Sequence, residues 1–183
     1  MELQSITKSY DDKIVFNNFS FNFQKGKIFC ITGASGSGKT TLLRIIMGLD
    51  RDFSGKIFNR PDRISVVFQE DRLLPCSVLK NITVTGADSE VAKKYLGLLG
   101  LSDAVDKLPS ELSGGMKRRV ALARAMCFDA DMYIFDEPFA GLDENSTVNA
   151  ALLIKNELKN KTVIISTHSK IAAKILTDTI IEI

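Results

Sequence analysis

Gly33-Ala34-Ser35-Gly36-Ser37-Gly38-Lys39-Thr40 constrains this chain more than any other stretch. It fits G-x-x-x-x-G-K-[ST], and at ordinary glycine frequency a chance match in a chain of this length has a probability of roughly 1%. Before it, Lys27-Ile28-Phe29-Cys30-Ile31-Thr32 reads as a short buried strand. After it, Thr41-Leu42-Leu43-Arg44-Ile45-Ile46-Met47 has helical length and composition. Glycine lets backbone N–H groups turn inward without a Cβ in the way. Those amides and the positive end of the following helix can surround a phosphate chain. Lys39 is expected to reach the β- and γ-phosphates of a nucleotide, and the Thr40 hydroxyl to ligate Mg²⁺.

The residues before this loop read as antiparallel strands. Phe19, Phe21 and Phe23 alternate with Ser20 and Asn22 in a half-buried strand that ends at the Lys25-Gly26 turn. Tyr10 is expected in a loop before Asp11-Asp12, ahead of a separate short run, Ile14-Val15-Phe16. After the loop helix, Gly55 to Phe58 and Arg63 to Phe68 are strand candidates split by the Pro61-Asp62 turn. From Gln69 to Leu112 the strand pattern stops; Val78 to Ile82 and Ser89 to Leu99 look helical, and the stretch reads as a small helical insert. Ser113 opens a helix running to about Phe128. Its Met116, Val120, Ala123 and Cys127 fall on one face for burial, and Lys117, Arg118, Arg119 and Arg124 are expected on a solvated face.

Asp131 to Asp136 is an apolar strand ending in acid. Asn145 to Lys159 is a helix, Thr162 to Ser166 a β-branched strand, Ser169 to Thr177 a helix and Thr179 to Ile183 a last strand. Buried strands alternating with helices imply an α/β fold: a mainly parallel central sheet covered on both faces, with an N-terminal antiparallel β subdomain and the helical insert. Its 183 residues suit one domain, with the core at 1–68 and 129–183 and the insert at about 69–128.

A formal charge of +2 gives no broad field that would attract nucleic acid or anionic lipid. No apolar run is long enough for a membrane span. Met1-Glu2-Leu3-Gln4 lacks the basic and apolar regions of a secretion signal. Cys30, Cys76 and Cys127 are widely spaced with no C-x-x-C, and read as three reduced, packing cysteines in the cytosol.

Two further places carry chemistry. Asp136, at the carboxyl end of a buried strand, lies where ligands bind in open α/β sheets. It can hold Mg²⁺ through water, and Glu137 can orient or deprotonate an attacking water. The other is Leu112-Ser113-Gly114-Gly115-Met116. Serine is a good N-cap, but two glycines at a helix start are costly. They make sense where backbone amides must approach a ligand closely, and this second anion-ready helix start can close over a γ-phosphate from the other side.

In order and spacing, Gly33 to Thr40, Gln69, Leu112 to Met116, Tyr133 to Glu137 and His168 resemble the nucleotide-binding domain of ATP-binding-cassette (ABC) transporters. The resemblance covers essentially the whole chain, and Leu-Ser-Gly-Gly is specific to that family among phosphate-loop proteins. It implies an ATP hydrolase with a phosphate-loop NTPase fold. ATP would be held by Tyr10, stacking on adenine, by Gly33, Ala34, Ser35, Gly36, Ser37, Gly38, Lys39, Thr40 and Thr41, and by Ser113, Gly114 and Gly115. Mg²⁺ would be held by Thr40, Gln69 and Asp136, and catalysis carried by Glu137, His168, Gln69 and Lys39. Ala140-Gly141-Leu142-Asp143 resembles the loop that meets its counterpart across a dimer.

Val67 to Pro75, Gly114-Gly115-Met116 and Glu137-Pro138-Phe139 are similar to the nitrate, sulfonate and taurine branch of bacterial importers. Cys76 stands where that branch often has tryptophan, His168-Ser169 where it often has His-Asp, and Arg118 where glutamine is usual. The chain also stops soon after the last strand, where relatives usually continue. These departures touch the substrate assignment and leave the ATPase motifs intact.

The resemblance implies a homodimer formed on ATP binding. It implies separate permease subunits docking near Gln69 to Ser77, an extracytoplasmic substrate-binding protein, no nucleic acid partner, and a place on the cytoplasmic face of the membrane held through the permease. Leu73 and Leu74 are then expected partly exposed between core and insert. The alternatives are an ABC-type ATPase acting on ribosomes or DNA, and a non-hydrolysing binding module. A single cassette, the short stretch between Gln69 and Ser113, and intact Lys39, Asp136, Glu137 and His168 speak against them.

Overall fold

A computed structural model describes residues 1–11, 13–177 and 179–183, so Asp12 of the expected Asp11-Asp12 loop lies outside the described residues. Strands β1 (Glu2–Tyr10), β2 (Lys13–Asn22) and β4 (Ser54–Phe58) form an antiparallel sheet in the order β2-β1-β4. The second sheet contains β3 (Ile28–Thr32), β5 (Ile64–Val67), β6 (Met132–Asp136), β7 (Thr162–Ser166) and β8 (Ile180–Glu182). Its order is β5-β6-β7-β3-β8 and every pairing in it is parallel. Helix α1 (Lys39–Met47) follows β3. Helices α2 (Val78–Thr83), α3 (Ser89–Leu98) and α4 (Gly114–Cys127) lie between β5 and β6. Helices α5 (Glu144–Glu157) and α6 (Lys170–Leu176) flank β7 in sequence. This is the α/β arrangement the alternating pattern implies.

The period of two along the parallel strands explains the two apolar layers. Phe29, Ile31, Met132, Ile134 and Ile164 point to one side, where they join Leu42, Leu43, Ile45 and Ile46 of α1 and Leu3, Ile6 and Phe16 of the antiparallel sheet. Cys30, Tyr133, Phe135, Val163 and Ile165 point to the other, where they join residues of α5 and α6. Val78, Ile82, Ala92, Leu96, Val120 and Leu122 of the three inserted helices belong to that same second layer. The inserted helices are therefore continuous in packing with the sheet.

Two local expectations change in the antiparallel sheet. Ile14 to Phe16 and the run from Phe19 are not separate, because β2 spans Lys13–Asn22 and leaves only Phe23 beyond its end. Asn18 has φ 57 and its N–H donates to Thr7 Oγ1 at 3.0 Å, so Asn17-Asn18 bends one continuous strand. Tyr10 is not in a loop: it closes β1, opposite Lys13.

The arginines of α4 are not a solvated face. Arg118 is 5% exposed; its Nη1 donates to Phe68 O at 2.7 Å and its Nη2 to Gln69 O. Arg119 donates to Leu99 O and Gly115 O, and Arg124 to Arg72 O and Asp71 O. The irregular chain after β5 leaves carbonyls without strand partners, and the guanidinium groups supply the donors. α4 is also buried more widely than its expected stripe, with Ala121, Leu122, Ala125 and Met126 enclosed, because α2, α3 and β5 all contact it.

Helix starts follow side-chain caps. Ser113, Asp143 and Ser169 accept from the N–H groups of Met116, Ser146 and Ala172. The three cysteines are free thiols; burial pushes Cys30 up to about 12 and Cys127 up to about 11, which keeps both thiols protonated and unreactive. Among the described residues no helix is long and apolar enough to cross a membrane.

Candidate functional site

The loop between β3 and α1 is shaped by what its glycines permit. Gly38 has φ +109, and a Cβ there would meet Val15 Cγ1 at 2.6 Å and Phe16 Cζ at 3.0 Å. Only glycine lets β2 pass this close. At Gly33 a Cβ would lie 2.0 Å from the carbonyl oxygen of Ile183, whose N–H donates to Thr32 O. Gly38 is also the N-cap of α1, so no side chain caps the helix, and no acid sits in its first turn. The opening N–H groups and the positive helix end are left for an anion. Lys39, 7% exposed, curls over the loop and donates to Gly33 O and Ala34 O, both at 2.9 Å.

Register in the parallel sheet assembles the acids. Asp136 at the end of β6 pairs with Ser166 at the end of β7. Ser166 is fully buried; its Oγ donates to Asp136 Oδ1 at 2.6 Å and accepts from Glu137 N at 2.9 Å. One hydroxyl thus sets both residues. Glu137 takes φ +50, a left-handed conformation rare for a residue with a side chain. Its carboxylate, with the side chain 14% exposed, has Oε1 3.2 Å from His168 Nε2, and Oε2 accepts from His168 N at 3.3 Å. His168 is itself half exposed, at 56% of its side chain.

These groups open on one cavity of about 250 Å³. Tyr10, Ser35, Gly36, Gly38, Lys39, Thr40, Thr41, Gln69, Glu137 and His168 line it, together with Lys13 and Val15, which sequence reasoning did not single out. The cross-strand pairing of Tyr10 with Lys13 is what carries Lys13 there, and that pairing is hidden while Tyr10 is read as a loop residue. Gly33, Ala34 and Ser37 are outside this lining; Gly33 and Ala34 line a neighbouring cavity with Thr167 and Lys170.

Asp136, 4% exposed, is not part of the cavity lining and forms no ion pair among the described residues; it is linked to Glu137 through Ser166 Oγ. A buried carboxylate without a cation fits a Mg²⁺ ion that also takes the Thr40 hydroxyl, water and phosphate oxygens. Such an ion needs few protein ligands, so the absence of a group of three or more acidic, His or Cys residues among the described residues is no obstacle.

Tyr10 is held as a platform. Its hydroxyl donates to Asp50 Oδ2 at 3.0 Å, and the Lys8 ammonium sits 4.6 Å from the ring centroid. Lys8, 3% exposed, also donates to Asp50 Oδ1 at 3.1 Å and Asp52 Oδ2 at 3.2 Å. Burial works against the charge on each partner. It is outweighed for Lys8 by the hydrogen bonds to Asp50 and Asp52, which leave its pKa raised, and for Asp50 by those from Lys8 and Tyr10, which leave its pKa lowered.

Ser113, Gly114 and Gly115 do not line this cavity. Ser113 and Gly114 are exposed, and a Cβ on Gly115 would lie 3.1 Å from Gly141 O, in the Ala140-to-Asp143 loop. One chain brings together the phosphate loop, Gln69, Glu137 and His168, and leaves the second glycine-rich helix start facing outward elsewhere.

The sequence profile described as ABC transporter matches residues 16–140. The aliphatic sulfonates import ATP-binding protein SsuB 2 of Rhodococcus jostii is 35% identical over 99% of this chain and 77% of its own length. SsuB 1 of Agrobacterium fabrum is 37% identical over 98% of this chain and 69% of its own length. The dimeric structure of MJ0796, a bacterial ABC transporter cassette, superposes with a TM-score of 0.85 at 29% identity, covering 99% of this chain and 94% of that one. A dimeric post-hydrolysis state of the same cassette, bound to ADP and Pi, gives 0.83 at 28% identity over 98% and 95%. A profile covering most of the chain, relatives above 30% identity along almost all of it, and a shared cassette fold agree: this chain belongs to the ABC transporter family, as one of its ATP-hydrolysing cassettes.

Proposed function

We propose that this chain is the motor subunit of an importer, and that it works as an ATP-dependent homodimer bound to separate permease subunits at the cytoplasmic face of the membrane. The observation that carries the reading is the split site. The phosphate loop, Glu137 and His168 share a cavity, while Ser113–Gly115 faces out from the same chain with its amides uncovered by any side-chain cap except Ser113's own. A second copy supplies what one copy lacks: each nucleotide is held by one chain's Gly33–Thr41 and the other's Ser113, Gly114 and Gly115. The importer ATP-binding proteins among its relatives support the importer reading, and the dimeric form of MJ0796 supports the paired one.

Within each site Tyr10 stacks on adenine, and Lys39 exchanges the carbonyls of Gly33 and Ala34 for phosphate oxygens. Thr40, Gln69 and Asp136 would hold Mg²⁺, which would supply shielding of the phosphate charge. Glu137 accepts a proton from the attacking water, and His168, 3.2 Å from its carboxylate, keeps that carboxylate aimed and meets the γ-phosphate with its free edge. In this reading residues 1–68 and 129–183 form the nucleotide core, and the helices from about 69 to 128 turn with the partner contact.

Permease docking is placed on residues 69–77. Leu73 is half-buried against the second apolar layer, whereas Leu74 is 45% exposed. The loop does not depend on the Leu74 side chain for its shape. Asn81, fully buried, accepts from Leu74 N at 2.7 Å and donates to Leu74 O and Cys76 O, both at 3.0 Å. Leu74→Asp is therefore expected to keep its melting temperature and its basal ATPase within about two-fold, as exposed substitutions do. Co-purification with the permease and substrate-stimulated turnover are expected to be lost, because a charge in an apolar contact is left without a partner. A Leu74→Asp chain that still assembles with the permease overturns the docking site, and one that unfolds makes Leu74 a packing residue.

A further inference from the structure

A buried arginine is expensive unless its charge is paired and its donors find acceptors, and an apolar side chain of similar size in its place is often no less stable. Arg118 is such a residue. It lies in the second turn of α4, 5% exposed, its charge paired with Asp71 at 3.2 Å from Nε to Oδ1, a contact without hydrogen-bond geometry. Its two terminal nitrogens donate to consecutive carbonyls, Phe68 O and Gln69 O. A planar fork on two successive carbonyls fixes the peptide plane between them, which a flexible ammonium cannot do as well. Two turns further on, Arg124 donates to Asp71 O and Arg72 O. The stretch from Phe68 to Arg72 belongs to no helix or strand and hangs from α4 by these arginines. Gln69, in its middle, is exposed and lines the nucleotide cavity.

We propose that Arg118 is a positioning residue for Gln69: it sets where the Gln69 side chain stands in the cavity by holding that residue's own carbonyl to α4. The proposal rests on the reading above in which Gln69 meets the metal and the attacking water.

The test is a double-mutant cycle, Arg118→Met on the wild-type and on the Gln69→Ala background, with amide exchange of the peptide spanning residues 68–73 measured in the nucleotide-free chain. If Arg118 acts through Gln69, Arg118→Met lowers kcat about ten-fold on the first background and less than about two-fold on the second, with the KM for ATP shifted by less than about two-fold. Exchange in the 68–73 peptide accelerates, while that of β6 does not change. Arg118→Lys keeps the charge beside Asp71 but not the fork, and gives a smaller loss that again vanishes on Gln69→Ala; it carries the cycle if Arg118→Met does not fold. Equal losses on both backgrounds, or unchanged exchange at 68–73, overturn the proposal. A Gln69→Ala chain that hydrolyses ATP at the wild-type rate overturns the role of Gln69 itself, and the Arg118 proposal with it.

Discussion

Glu137→Gln is expected to slow ATP hydrolysis by at least about a hundred-fold, the usual contribution of a positioned general base, while ATP still binds. The amide keeps the shape of the carboxylate and can still accept from His168 N, but it cannot take a proton from water. The Glu137 backbone, anchored by Ser166 Oγ at 2.9 Å, is untouched, as is the phosphate loop. ATP is then bound without being consumed, and a dimer held together by nucleotide accumulates. Size-exclusion chromatography with and without ATP measures that dimer, and a phosphate-release assay measures the rate. Turnover near the wild-type rate would remove Glu137 as the base. Slow turnover with a chain that stays monomeric in ATP would leave the base in place and count against the shared-site reading.

Lys39→Ala acts one step earlier, on binding. Charge-assisted contacts to phosphate are worth about 1.5–3 kcal/mol each, so the Kd for ATP is expected to rise about ten- to hundred-fold. Hydrolysis falls with it. The nucleotide-free chain is affected too, since Lys39 bridges Gly33 O and Ala34 O and its removal leaves those carbonyls to water. Isothermal calorimetry separates the effects: weak binding with an unchanged melting temperature assigns the loss to the phosphate contact. Tight ATP binding by Lys39→Ala would contradict the role given to this lysine.

What could be read from sequence, and what could not, divides by range. The strand–glycine loop–helix unit around Gly33–Thr40 and the apolar runs Met132–Asp136 and Thr162–Ser166 are legible because their signals are local: glycine at forced turns, and runs long enough for strands buried on both faces. Asn17-Asn18 looked like a break because the bond from Asn18 N to Thr7, which lets β2 bend and continue, comes from a neighbouring strand. Arg118 looked solvated because a helical pattern shows which residues share a face but not that the chain after β5 folds back over it with unpaired carbonyls. The Lys8–Asp50–Tyr10 cluster is of the same kind: two of its members are separated from the third by the whole phosphate loop and α1. Local chemistry identified most of the residues around the cavity; what holds them in place is carried by long-range contacts.

The φ of +50 at Glu137 has a cost that reaches beyond the reaction. A left-handed residue with a Cβ costs the fold about 1–2 kcal/mol, and glycine, which is at ease there, returns part of that to the unfolded chain. Glu137→Gly is thus expected to raise the melting temperature, by about 2–4 °C for each kcal/mol gained in a chain of this size, in differential scanning calorimetry, while removing hydrolysis. Heat resistance and turnover pull against each other at this one position. A search for hardier variants that selects on survival alone will drift toward glycine at 137 and collect chains that fold better and do no work.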